Sequence, residues 1–180
     1  MTANATASPA PSIAAADRSS RVIFAGIRIA VGVMWLTNTR WKTPTDFGES
    51  GGGGLYGYTR DAVDHPVFAP YSWVVRHLVL PNFTLFGWMV LFVEVSLGAF
   101  LILGLASRFW GTVGAMQALF IGLSVARTPN EWAWSYLLMI AANLMVVAVA
   151  AGRYTGIDGV LRPTWSTRHD RLSKLLMRAS

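Results

Sequence analysis

The sequence predicts an all-α integral membrane protein, a four-transmembrane-helix antiparallel bundle with a short extracytoplasmic interfacial helix. Three observations carry that expectation. Of the 180 residues, 53% are hydrophobic and 13% charged, where soluble domains carry about a quarter charged residues. Four apolar stretches, residues 22–39, 83–106, 109–126 and 132–151, approach the ~20 residues needed to cross a hydrocarbon core of ~30 Å. The turns joining the last three are short, which makes consecutive helices antiparallel neighbours.

Taken in order, residues 1–20, "MTANATASPAPSIAAADRSS", are small and polar with no apolar run, and they read as a disordered arm rather than a signal peptide. Residues 21–161 form the membrane domain. Within it, residues 43–81 make an extracytoplasmic insertion too long for a plain connection. Its first part, "DFGESGGGGLYGY", reads as a flexible glycine tract; it lacks the lysine, the preceding strand and the following helix that a phosphate cradle needs. Its second part is bracketed by Pro66, Pro70 and Pro81, so residues 71–80 are expected to form a short helix on the membrane surface that Pro81 ends. Small residues at four-residue spacing, Gly26 and Ala30 in the first span and Gly114, Ala118 and Gly122 in the third, are expected to let helices approach closely. Residues 162–180 form a basic tail suited to anionic headgroups.

Charge sets the expected orientation. With four spans, Arg18, Arg21, Arg108, Arg153, Arg162, Arg168, Arg171, Lys174 and Arg178 fall on one side. On the other, Arg40, Lys42, Arg60, Arg76 and Arg127 are offset by Asp46, Glu49, Asp61, Asp64 and Glu131. Both termini are therefore placed in the cytoplasm of a multi-pass protein of the inner cell membrane. The net charge of +6 is no sign of nucleic acid, because nothing resembles a nucleic-acid module. The absence of cysteine excludes disulfides, thiol catalysis and Cys-held iron–sulfur clusters. His65 and His77 are too few and too far apart to suggest a metal.

Each span carries one strongly polar side chain. Counted from the cytoplasmic ends, Arg28 lies ~10 Å deep, Gln117 ~13 Å, Asn143 ~14 Å and Glu94 ~21 Å. A charge near the bilayer centre costs at least ~2.5 kcal/mol, so such groups face the interior and find partners. The four are candidates for one internal cluster. Within it Arg28 either pairs with Glu94 or reaches back to the cytoplasmic surface, and Gln117 and Asn143 either serve a ligand or bond across helices.

The segments "IRIAVGVMWLTNTRWK", "EVSLGAFLILGLASR" and "NLMVVAVAAGRYTGIDGVL", with Arg28, Gly32, Trp35, Lys42, Glu94, Gly98, Gly104, Arg108, Asn143, Gly152, Gly156 and Asp158, resemble the DoxX/DoxD family of small four-helix membrane proteins. The DoxD branch is similar to the membrane subunit of thiosulfate:quinone oxidoreductase. That resemblance implies quinone-linked redox chemistry, in which two thiosulfates are joined as tetrathionate, together with a second protein subunit or further copies of the chain.

A quinone needs an apolar slot open to lipid, donors for its carbonyls and a proton source. Trp35, Trp88 and Phe92 are candidate walls, Glu94 the proton carrier, and Arg28, Gln117 and Asn143 the donors. A sulfur oxyanion would stay at the aqueous end, where Arg40, Lys42, Arg76 and Arg127 are the candidate contacts. The rival expectation is a non-enzymatic scaffold that docks a soluble redox or stress-defence partner, with Glu94 and Arg28 fixing helix register. A carrier is disfavoured, since there is no inverted repeat and no pair of interrupted spans.

Overall fold

The computed structural model describes residues 18–168 and 170–180; residues 1–17, with most of the expected arm, and His169 lie outside it. The described residues are helical and contain no strand. In chain order the helices are α1 (Arg18–Asn38), α2 (Gly54–Asp64), α3 (Ala69–Val74), α4 (Phe83–Leu103), α5 (Ser107–Val125), α6 (Ala133–Val149), α7 (Gly152–Thr155), α8 (Ile157–Ser166) and α9 (Arg171–Ala179). Helix α1 and the rod running from α3 into α4 are long and apolar enough to cross a membrane, whereas α6 is apolar but shorter.

The long helices pack as two antiparallel pairs, α1 with α4 and α5 with α6. A shared core joins them, built from Val31 and Trp35 of α1, Leu97 and Leu101 of α4, Ala118 of α5 and Val146 of α6. The outward faces remain apolar, with Leu85, Phe92, Leu137 and Leu138 all more than half exposed. Greasy surface of that extent suits lipid and not water.

Glycine sets the closest approach. A Cβ at Gly98 would overlap the side chain of Leu36 and lie 3.0 Å from the Gly32 carbonyl oxygen, so α1 and α4 touch backbone to backbone at this level. In the second pair, Gly114 receives the Asn143 side chain and Gly122 receives Tyr136. The expectation for Gly26 and Ala30 fails. Both face outward, and a Cβ on Gly26 would meet open space, because α1 turns its Gly32 face to its partner instead. Gly98→Ala is therefore expected to lower stability by about 1–3 kcal/mol. Gly26→Ala should stay neutral or stabilise by up to about 1 kcal/mol, and unfolding in detergent followed by circular dichroism compares the two.

Two expectations for the insertion are also corrected. Pro81 does not end a separate surface helix. The chain stays helical from Ala69 to Leu103, passing through a π-helical turn (Val75–Val79) and a tight 3-10 turn (Leu80–Asn82) with Pro81 in its first positions. The change of hydrogen-bond register leaves the missing proline N–H without a carbonyl to disappoint. The glycine tract is folded rather than loose. The Asp46 carboxylate accepts bonds from the backbone N–H of Gly48 (3.0 Å) and Ser50 (3.2 Å), and Gly54 opens α2. At Gly48, with φ +89°, any Cβ would run into Gly53.

Beyond α1 the chain runs as a strap along the first half of α4. Lys42 reaches Glu94, the ring of Phe47 fills the space over Gly87 and meets Trp88 edge-on, and Tyr56 meets Phe83 edge-on. The strap continues the track that α1 leaves at Asn38.

Candidate functional site

Glu94 sits midway along α4 and is wholly buried. Along its own helix it lies ~16 Å from the N-terminal end and ~14 Å from the C-terminal end, yet it is level with the C-terminal end of α1. Three consecutive turns there (Thr39 N–H to Leu36, Arg40 to Thr37, Lys42 to Thr39) fold the chain back over the helix end. This delivers Lys42 inward, so its ammonium donates to Glu94 Oε2 at 2.5 Å and to the Asn38 carbonyl at 3.0 Å. Asn38 Nδ2 donates to Glu94 Oε1 at 3.2 Å, and the Gln117 side chain from α5 approaches the same carboxylate. Both side chains of the ion pair are at most 2% exposed. Trp41 closes the cluster from outside. Its indole N–H donates to Asn38 Oδ1 at 3.2 Å, and its ring lies 4.5 Å from the ammonium, a cation–π distance.

Asn143 and Trp35 lie beneath this cluster. The Trp35 indole N–H donates to Asn143 Oδ1 at 3.3 Å, and Asn143 Nδ2 donates to the Met139 carbonyl at 2.8 Å. Trp35 is only 3% exposed, so it is a hydrogen-bonded core residue and not the wall of an open slot. Trp88 is half exposed and meets the Phe47 ring edge-on, and Phe92 faces away from Glu94. Phe92 precedes Glu94 by two residues, which places it about 200° around the helix, and it is 72% exposed.

Arg28 belongs to another cluster. Its guanidinium donates to the carbonyls of Leu101 and of Ile102 (2.8 Å) at the end of α4, and to that of Thr155 (3.4 Å). The expected pairing with Glu94 is thus replaced. Ten residues along α1 separate Arg28 from Asn38, ~15 Å of helix, and only the Asn38 end meets Glu94. Nor does Arg28 reach solvent, since it is 1% exposed; it satisfies the orphan carbonyls of a helix C-terminus.

Beside it, buried Asp158 of α8 accepts from the backbone N–H of Ala106 (2.7 Å) and Ser107 (2.9 Å) and from the Ser107 hydroxyl (2.7 Å). It caps α5 from a distant part of the chain. Gly104 has φ +67°, and a side chain there would strike Arg28 and the Gly156 Cα. Gly152 and Gly156 are hemmed in by Asp158, Ser107 and Gly104. Arg28, Gly104, Gly152, Gly156 and Asp158 therefore form one structural knot at the end of the molecule remote from Lys42.

The four cations expected to gather around an oxyanion take different places. Lys42 turns inward, Arg127 donates to the Pro66 carbonyl at 2.9 Å, and Arg40 and Arg76 are exposed. Asn38 was missed because asparagine at a helix end reads as an ordinary terminator. The signal that could have found the pair is the four-residue offset from Asn38 to Lys42, which sets the lysine over the last turn of α1. Among the described residues no group of acidic, histidine or cysteine side chains could hold a metal.

A family profile described as "TQO small subunit DoxD" matches residues 66–178. The chain belongs to the DoxD family. No curated protein and no solved structure matches it. The DoxD match takes in Glu94, Gln117, Asn143 and Asp158, while Arg28, Trp35, Asn38 and Lys42 precede it. Both clusters thus combine side chains from inside the DoxD stretch with partners supplied by α1 and the strap.

Proposed function

We propose that this DoxD protein is a four-span inner-membrane subunit of a quinone-linked oxidoreductase, and that the Glu94–Lys42 pair exchanges protons with the bound quinone. The carrying observation is a carboxylate and an ammonium held 2.5 Å apart in full burial, with Asn38 and Gln117 as further polar neighbours. In an apolar medium such a pair can be charged or neutral at similar cost, so a proton can pass along it. With thiosulfate as donor the balance is two thiosulfates plus quinone plus two protons giving tetrathionate plus quinol. The protein's part is to supply protons to the quinone oxygens and donors that hold them, from Asn38 and Gln117. A partner subunit takes the two electrons from thiosulfate and passes them to the quinone.

Charge and aromatic residues support a placement in the membrane. Arg108, Arg153, Arg162 and the cations of α9 cluster at the end bearing the knot. Exposed Trp41, Trp73, Trp132 and Trp134 ring the opposite end, as interfacial belts do. We place the basic end in the cytoplasm.

The test is thiosulfate-dependent reduction of a quinone analogue by the purified protein with candidate partner subunits. Glu94→Gln is expected to cost at least about a hundredfold in rate, in the range of a lost general acid, with the variant still eluting as folded protein. An active preparation indifferent to the substitution overturns the proton role. One observation favours a second reading: the carboxylate is already fully satisfied and closed over, as a register-fixing pair would be. On that reading the protein is a scaffold for a soluble redox partner, and Glu94→Gln weakens the fold while a pull-down still recovers the partner.

A further inference from the structure

At the end of the molecule bearing the structural knot, a cavity of about 490 Å³ opens between the last turn of α4 and the α7–α8 turn. We propose that this pocket, lined by Leu103, Arg153, Tyr154, Ile157 and Val160, is a binding site for the phosphodiester headgroup of an anionic phospholipid. The proposal rests on the membrane placement above but not on the redox chemistry.

Arg153 supplies the recognition. Its Nη2 donates to the Ser180 carbonyl at 2.7 Å, and its buried Nε has no hydrogen-bond partner. Arg162 lies against the same end of α9, donating to the Met177 carbonyl (3.0 Å) and the Ser180 hydroxyl (2.7 Å). Burial first, then the nearby charges of Arg162 and Arg108, pushes the Arg153 guanidinium below its ordinary value. The neighbouring carboxylate does little to relieve this, because Asp158 is committed to the N–H groups of Ala106 and Ser107. Arg153 lines the cavity and carries an unpartnered Nε–H, with the charges of Arg162 and Arg108 close enough to act on it, which favours an anion with several acceptor oxygens.

The rim decides which anion. Leu103 is 51% exposed and Val160 76% exposed, and Leu103 continues the apolar outer face of α4. A free phosphate gains nothing from those side chains, whereas a phospholipid lays its acyl chains against them while the headgroup meets Arg153.

Native mass spectrometry of the full chain in detergent tests this, titrating phosphatidylglycerol against phosphatidylcholine. A single phosphatidylglycerol adduct is expected, held about tenfold more tightly than phosphatidylcholine. Arg153→Gln should weaken it about tenfold. Because that variant can disturb the α9 contact, Val160→Glu provides a second probe. It sets a negative charge on an exposed rim position and should also abolish the preference without lowering thermal stability. Arg171→Gln, on the exposed face of α9, should leave the adduct intact. Equal binding of the two lipids, retention of the preference in Val160→Glu, loss in Arg171→Gln, or displacement by excess inorganic phosphate would each overturn the proposal. A protein that shows the adduct yet never reduces a quinone analogue overturns only the redox reading.

Discussion

Lys42→Met is expected to destabilise the protein by about 3–5 kcal/mol, the cost of stranding one member of a buried ion pair. Lys42 and Glu94 are each at most 2% exposed, so water cannot enter to solvate the carboxylate left behind, and only the neutral side chains of Asn38 and Gln117 remain beside it. The companion result identifies the cause. Glu94→Met combined with Lys42→Met should recover most of the loss, since an apolar pair of similar volume often matches a buried salt bridge. Unfolding midpoints of the four proteins in one detergent give the coupling directly. A single-mutant cost near zero would mean that the pair opens to solvent in solution.

The second large effect is expected at the other end. Asp158→Ala removes the acceptor of two backbone N–H groups and one hydroxyl and leaves the first turn of α5 uncapped in a buried place. Charge-assisted bonds contribute roughly 1.5–3 kcal/mol each, and they are not independent, so a loss of about 3–4 kcal/mol is expected. Asp158→Asn retains an acceptor and should cost about half as much. Hydrogen exchange gives a spatial check, because the amides of Ala106 and Ser107 should lose protection before those in the middle of α5.

Much of this architecture is written in residue type and spacing. Apolar runs separated by short turns announce the long helices, and the tandem small residues Gly114, Ala118 and Gly122 mark the face that α5 turns to α6. Burial of Arg28, Glu94 and Asn143 follows from the cost of leaving such groups in hydrocarbon. Their partners were less legible, for a geometric reason. Depth counted along each helix treats all four as equal rods spanning the same slab, but α1 ends level with the middle of α4. A residue counted as lying in water, Lys42, therefore sits beside one counted as deep, while Arg28 lies level with the C-terminal end of α4, near Asp158 and away from Glu94. Gly26 illustrates the same limit, since its spacing fits a contact face and only the facing surface decides whether the contact exists. The placement of the aromatic residues was less legible for a different reason. Alternation around a helix sends Phe92 away from Glu94, and a list of nearby residues carries no angle.

The strap that follows α1 gives the site an order of assembly. Lys42 precedes Glu94 by 52 positions in the chain, so a chain made from its N-terminus has α1 and its returning turn in place before α4 is complete. The carboxylate then meets a counter-charge already in place, and α4 is spared a period as a lone apolar helix with a bare charge at its centre.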